Sequence, residues 1–167
     1  MRVLWVCNQC IGKIAEQLNI PGSNKEGWLA GLYDAFTEKD TEVTLGICFP
    51  SSENKKYSVD HLPVYSFAED TAHPEIYEEN AESRFAEIFS DFRPDIVHIF
   101  GTEYAHTLAA AKALHDPGKL LIGFQGVCNA LYEEYLTGVE KEWISKNTLR
   151  DTLKSDNMEI LTMEGLE

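Results

Sequence analysis

At 167 residues, with 44% apolar and 25% charged residues, the chain has the size and composition of one soluble globular domain with a substantial core. Its formal net charge is −14, and the sequence contains no Lys/Arg cluster of the kind that nucleic acid or an anionic membrane surface requires. Since no apolar run approaches the ~20 residues that cross a bilayer, and Met1-Arg2 leads directly into an apolar strand rather than a signal peptide, we expect a cytoplasmic protein without a transmembrane segment.

The first half of the chain alternates apolar strands with amphipathic helices. Apolar residues at helical spacing after Gly27 predict a helix, a polar turn precedes it through Ser23, and Pro50 is expected to end the second strand. The predicted elements are strand Arg2–Cys7, helix Gly27–Phe36, strand Glu42–Phe49, and two short strands, Lys56–Val59 and Leu62–Phe67, around an Asp60-His61 turn.

The second half continues the alternation. The near-continuous apolar run Ile96–Phe100 is typical of a parallel strand buried on both faces. Gly101 should end this strand, Thr102 should cap the next helix, and Glu103 should lie in its first turn. The predicted elements are helix Glu75–Phe92, strand Asp95–Phe100, helix Glu103–Leu114, strand Leu120–Phe124, and helices from about Leu131 to Tyr135 and from about Glu140 to Lys154. Strands separated by helices predict an α/β fold with a mostly parallel sheet.

The cysteines suggest a redox or metal site only weakly. Cys7 and Cys10 form a C-x-x-C motif after a strand, as in thioredoxin, but Gly12 and the Pro21-Gly22 turn interrupt the helix that the motif should open. A zinc site would need a second pair of ligands at suitable spacing, and the sequence offers none. We therefore expect no metal and no cofactor.

One short segment suggests a different enzyme. Val3–Cys7, with Lys13 six positions after Cys7, resembles the phosphate loop of low-molecular-weight tyrosine phosphatases. The resemblance implies that Cys7 would attack phosphorus and that Asp116 would serve as the general acid. Lys13 stands where that family has Arg, and a lysine cannot form the bidentate contact with phosphate. This interpretation remains the alternative.

A second resemblance extends along most of the chain. Its segments are PGSNKEGWL at 21–29, DIVHIFGTEYAHTLA at 95–109, IGFQG at 122–126 followed by the stretch 132–138, and TLRDTL at 148–153. Together they resemble the N-terminal domain of a GT-B glycosyltransferase, in the large family that includes many retaining bacterial enzymes. The resemblance covers residues 1–157, and 158–167 would then begin a following, truncated segment.

The resemblance implies a Rossmann-like, three-layer α/β/α domain that forms one half of a GT-B architecture. In that family the N-terminal domain mainly binds the acceptor, here a saccharide or a lipid-linked sugar, while a C-terminal domain binds the nucleotide-sugar. The isolated domain would then be inactive alone. A stand-alone sugar-binding module is a further alternative.

Six residues are the candidate binding site. Backbone N–H groups at Gly27 could approach a diphosphate closely, although Gly27 and Gly31 could instead let the helix pack tightly on the sheet. Thr102, Glu103 and His106 would share one helix face at the carboxyl end of a strand, where α/β sheets bind ligands. The resemblance adds Gln125 and Gly126, where Gln125 would hydrogen-bond sugar hydroxyls without transferring protons. No catalytic residue is assigned.

Overall fold

The computed structural model describes residues 1–22, 27–39, 42–124 and 137–144, together with residues 146, 149 and 152. The chain divides into two compact units, Met1–Gln125 and Gly126–Glu167. The first unit contains strands β1 (Arg2–Val6), β2 (Thr44–Ser51), β3 (Lys55–Val59), β4 (Leu62–Ala68), β5 (Ile96–Phe100) and β6 (Leu120–Gly123). Its helices are α1 (Gly12–Leu18), α2 (Gly27–Thr37), α3 (Ala81–Phe92) and α4 (Ala105–Leu114), with a 3₁₀ turn at Pro117–Lys119. In the second unit, the described residues include one short helix, α5 (Lys141–Ile144).

The six strands form one sheet in the order β3-β4-β2-β1-β5-β6. All neighbouring strands are parallel except β3 and β4, which form an antiparallel hairpin at one edge. Trp5 of β1 lies in register with Ile47 on one side and His98 on the other. The chain therefore leaves β1 towards β2 and later returns to the opposite side of β1 as β5. The predicted α/β fold with a mostly parallel sheet is confirmed, and it is compatible with a Rossmann-like fold.

Alternate residues of β1 belong to two different clusters of buried side chains. Leu4 and Val6 pack with residues of α3 and α4, whereas Val3 and Trp5 pack with residues of α1 and α2. Because successive side chains of a strand point to opposite faces, the two clusters lie on the two faces of the sheet. The sheet is thus buried on both sides around β1, which accounts for the apolar composition of its central strands.

The β3–β4 hairpin and helix α2 agree with the sequence predictions. Asp60 and His61 connect the two strands with φ angles of 49° and 69°, the left-handed conformation that a two-residue type I′ turn requires. Helix α2 begins at Gly27, as predicted, and ends at Thr37, one residue beyond the prediction.

The structure differs from the sequence predictions at helix α1, strand β2 and helix α3. Helix α1 occupies part of the segment predicted to be a polar turn. It has only seven residues, of which Ile14 and Ala15 are buried. A helix of this length is too short to show a clear hydrophobic period in the sequence. Strand β2 continues past Pro50, which pairs with Phe67, to Ser51. Helix α3 begins at Ala81 rather than Glu75, because the residues before it form turns. The predicted helix at 131–135 lies outside the described residues, as does part of the one predicted at 140–154, within which α5 (Lys141–Ile144) is seen.

Candidate functional site

Polar side chains follow the carboxyl ends of three parallel strands. Asn8 follows β1, Glu69 follows β4, and Gly101 and Glu103 follow β5. Since β4, β2, β1 and β5 are consecutive parallel strands, their carboxyl ends meet at one edge of the sheet, which is where open α/β sheets bind ligands. We call Asn8, Glu69, Gly101, Glu103 and His106 the strand-end cluster.

His106 is the buried centre of this cluster. Its side chain is 2% exposed and lies beside that of Glu69, which is 7% exposed. Nδ1 of His106 lies 2.9 Å and 3.1 Å from the two carboxylate oxygens of Glu69, and Nε2 lies 3.2 Å from Oδ1 of Asn8. The ring packs between Phe67 and Tyr104, with ring centroids 5.2 Å and 5.5 Å away. The imidazole is therefore held in one orientation by two polar and two aromatic neighbours.

Thr102 and Glu103 do not occupy the predicted positions on helix α4. The helix begins at Ala105 after Tyr104, so the predictions that Thr102 caps it and that Glu103 lies in its first turn are wrong. Instead, the backbone N–H of Thr102 donates to Oε2 of Glu103 at 2.8 Å. This local hydrogen bond competes with the helical one, and it fixes an exposed carboxylate at the end of β5.

Gly101 allows two polar groups to approach the end of β5. Its φ angle is +92°, a conformation that residues with a side chain rarely adopt. A Cβ atom at this position would overlap Oε2 of Glu103 and lie 3.1 Å from Nδ2 of Asn8. The absence of a side chain therefore leaves room for the Asn8 amide and the Glu103 carboxylate on one side of the backbone.

The segment after β4 is held by an arginine from helix α3. Arg84 donates to the carbonyl of Ala68 and pairs with Glu78 at 2.6 Å. The other carboxylate oxygen of Glu78 accepts from the backbone N–H of Asp70 at 3.1 Å. The residues on both sides of Glu69 are thus anchored, and this keeps the Glu69 carboxylate against His106. The hydrogen bond from Arg84 also lowers the pKa of Glu78.

Of the six predicted site residues, the structure brings Glu103 and His106 into the strand-end cluster, with Thr102 joined through Glu103. Gly27 is the exposed first residue of α2. A Cβ on Gly27 or on Gly31 would meet no atom within 4 Å, so close packing on the sheet does not require glycine at either position. Gln125 and Gly126 lie outside the described residues, so their roles stay predictions.

Sequence reasoning missed Asn8 and Glu69. Asn8 comes two residues after the end of β1 and Glu69 directly after β4, so the rule that ligands bind at strand ends could have identified both. The contact of His106 with Glu69 joins residues 37 apart in the chain, and its contact with Asn8 joins residues 98 apart. No local pattern predicts such pairs.

The geometry around Cys7 does not favour the phosphatase interpretation. Cys7 and Cys10 are buried among the residues packed against α1 and α2, and burial raises the pKa of Cys10 to about 12. Lys13, the expected phosphate ligand, lies at the surface with Nζ 2.6 Å from a carboxylate oxygen of Asp34. A nucleophilic cysteine needs a stabilised thiolate and access to its substrate, and these thiols are shielded.

The chemistry of the strand-end cluster suits an uncharged polar ligand. Within the described residues, the hydrogen bonds of Asn8, Glu69, Glu103 and His106 include none to Lys or Arg. Across the same residues, no group of three or more His, Cys, Asp or Glu side chains could hold a metal ion. Amide, imidazole and carboxylate groups together supply hydrogen-bond donors and acceptors without a cation for phosphate.

A cavity of about 800 Å³ lies at the opposite end of the sheet, near the first residues of β2 and β4. Its polar lining is largely satisfied within the protein, since Lys13 pairs with Asp34 and the Gln17 amide donates to Asp60 at 2.9 Å. We therefore place the candidate site at the strand-end cluster, where the polar groups of several strands converge.

In the described part of the chain, no helix is both long and apolar enough to cross a membrane. Comparison with models of protein families, with curated proteins and with solved structures finds no match to this chain.

Proposed function

We propose that this chain is the acceptor-binding, N-terminal domain of a cytoplasmic GT-B glycosyltransferase, with the three-layer Rossmann-like arrangement of such domains. The observation that carries the proposal is the strand-end cluster. Side chains from the ends of β1, β4 and β5 converge at one edge of a mostly parallel sheet, the position at which this class of fold binds its ligands.

The side chains of this edge match the hydroxyl groups of a sugar. A hydroxyl both donates and accepts a hydrogen bond, and the exposed Glu103 carboxylate, held by the N–H of Thr102, is a strong acceptor for an O–H donor. Among the residues that the structure describes, no Lys or Arg side chain hydrogen-bonds to the cluster, and this favours a neutral group at this point. A saccharide, free or lipid-linked, is therefore the proposed acceptor.

The proposed reaction moves a hexose-type unit from a nucleotide-sugar to that acceptor. The bond between the anomeric carbon and the diphosphate breaks, a glycosidic bond to the acceptor oxygen forms, and the acceptor hydroxyl loses its proton as the nucleoside diphosphate leaves. In this proposal Glu103 and His106 lie on the acceptor side, and Gly27, Gln125 and Gly126 contact the donor or the reacting sugar. A second domain would bind the nucleotide, and closure would align the reactants.

The size of the native polypeptide tests the two-domain part of the proposal. An antibody raised against this domain would be used on extracts of the source cells. A band of about 40 kDa or more, roughly two domains of ordinary size, is the expected result. A band near the 18.9 kDa of this chain would contradict it, and would leave the stand-alone sugar-binding module or an enzyme that uses Cys7.

The rate of sugar transfer by the native full-length protein tests the proposed acceptor site. We expect Glu103→Gln to lower the transfer rate from a labelled nucleotide-sugar by about tenfold, because it removes a charged hydrogen-bond acceptor worth ~1.5 kcal/mol. The same change at Glu16, an exposed carboxylate on α1, is the matched control and should leave the rate unchanged. Equal rates for the two variants would remove Glu103 from the acceptor site.

A further inference from the structure

The side chain of Asn8 is held by His106, and His106 is held by Glu69. Nδ1 of His106 lies 2.9 Å from a carboxylate oxygen of Glu69, and since a carboxylate can only accept, Nδ1 donates. Nε2 lies 3.2 Å from the Oδ1 atom of Asn8. The ring thus connects the buried Glu69 carboxylate to the Asn8 amide.

This arrangement also fixes the direction of the Asn8 amide. With Oδ1 turned to the ring of His106, Nδ2 is turned towards Gly101, and the Glu103 carboxylate occupies the same space beside Gly101. The flipped amide would place an oxygen beside the Glu103 carboxylate. Glu103 thus favours the orientation in which Asn8 presents its NH2 group at the strand ends.

We infer that Asn8 binds the acceptor: its NH2 group and the Glu103 carboxylate together recognise one free hydroxyl. Glu69 and His106 are positioning residues, because they hold the Asn8 amide. This inference rests on the proposed function and adds to it the chemical class of the group that is bound. A hydroxyl can accept from Asn8 and donate to Glu103 at the same time.

Other functional groups fit this pair less well. An ether or carbonyl oxygen accepts from Asn8 but has no proton for Glu103, and an ammonium donates to Glu103 but cannot accept from Asn8. A phosphate or carboxylate would be repelled by Glu103. The pair therefore selects acceptors that carry an unmodified hydroxyl at the contacted position.

The first experiment observes the positioning residues directly, without any ligand. In the ¹⁵N-labelled chain, the side-chain NH2 protons of Asn8 should exchange with water more slowly than those of the exposed Asn80. In His106→Phe, which keeps an aromatic ring but removes the contact with Oδ1 of Asn8, and in Glu69→Gln, the exchange at Asn8 should become faster. Exchange at Asn8 that is the same in both variants and in the wild type would overturn the assignment of Glu69 and His106 as positioning residues.

The second experiment measures ligand binding with methyl glucosides, galactosides and mannosides as probes. At least one should shift the side-chain NH2 resonances of Asn8. Asn8→Asp keeps an oxygen for His106 but replaces the donor, so it should weaken that binding by about tenfold or more. The matched control is Asn80→Asp, the same change at an exposed residue whose side chain makes no cap hydrogen bond to α3, and it should bind as the wild type does.

The results separate the inference from the proposed function. Binding that is equally tight in Asn8→Asp would overturn the role of Asn8 while leaving a sugar site in place. If no methyl glycoside shifts Asn8 although the Asn8 amide is held as inferred, hydroxyl recognition at this cluster is wrong. In that case the full-length enzyme's transfer rate, measured separately, still decides the proposed function.

A glycoside methylated at the contacted hydroxyl should lose the Asn8 shift, and retention of the shift would contradict the requirement for a free hydroxyl.

Discussion

At the scale of single residues, Gly101 determines the geometry of the candidate site. It combines a φ angle of +92° with the close approach of Glu103 and Asn8, so both its backbone and its missing side chain are needed. The strand-end cluster depends on this residue although Gly101 itself offers no side chain to a ligand.

Replacing Gly101 with Ala should therefore destabilise the protein. The left-handed backbone and the displaced Glu103 carboxylate together should cost about 1–3 kcal/mol, measured as a lower free energy of unfolding in urea. Gly31→Ala is the matched control, since a Cβ there would meet nothing within 4 Å and alanine favours the helix by about 1 kcal/mol. Equal stability of Gly101→Ala and wild type would show that residue 101 can relax to an ordinary conformation.

The residue scale is also where sequence prediction was least complete. The run after β5 draws attention to Glu103 and His106, because polar residues at a strand end are recognisable locally. Their contacts were not predictable in this way: His106 is buried against residues 37 and 98 positions away, and Glu103 accepts from its own neighbour instead of starting a helix. Long-range side-chain contacts depend on the order of the strands in the sheet, and a single sequence does not reveal that order.

At the scale of elements, apolar runs predict the central strands, whereas the short helix α1 was not predicted. Strands β1 and β5 are buried on both sides and read as continuous apolar segments, whereas α1 has too few residues to show a helical stripe. The start of α3 was misplaced because residues 75–80 have helical composition but are held in turns, with the Glu78 side chain bound to Arg84 and to the backbone of Asp70.

The packing of β2 against α3 predicts a strong effect at Gly46. A Cβ there would lie 2.6 Å from the ring of Phe92, which is 1% exposed and cannot move into solvent. Gly46→Ala should overpack this contact and lower the free energy of unfolding by about 1–3 kcal/mol. Adding Phe92→Leu, which shortens the side chain, should recover part of the loss; a double mutant no more stable than Gly46→Ala would place the strain elsewhere.

The contact between α3 and the segment after β4 should depend on pH. The pKa of Glu78 is lowered chiefly by its hydrogen bond from Arg84, so its contribution is present above the unfolded-state pKa of about 4.3 and is lost as the pH falls through the folded-state value. Glu78→Gln should therefore be less stable than wild type at pH 7, by about 1 kcal/mol or less for a partly exposed pair. The difference in melting temperature should disappear at about pH 2–3. A difference that persists there would indicate packing rather than charge.

At the scale of the whole molecule, the chain has 28 acidic and 14 basic residues, so repulsion should outweigh attraction among surface charges. Raising NaCl from about 10 mM to about 150 mM shortens the screening length from about 30 Å to about 8 Å. This should raise the melting temperature, because net self-repulsion falls more than the exposed ion pairs weaken. KCl at equal ionic strength is the control and should act equally. A melting temperature that falls with salt would mean that the ion pairs dominate.

Among the strands that the structure describes, the antiparallel strand β3 lies at one edge of the sheet, and its residues Lys55 and Lys56 are exposed there. The unpaired backbone of a boundary strand can recruit a strand from another molecule, and lysines are a common defence because their charge and hydration are lost when two such strands join. Neutralising both lysines, for example by acetylation, should therefore promote self-association and fibre formation by the folded protein. In a chain this acidic, the lysines of β3 help to keep the sheet from extending beyond its own molecule.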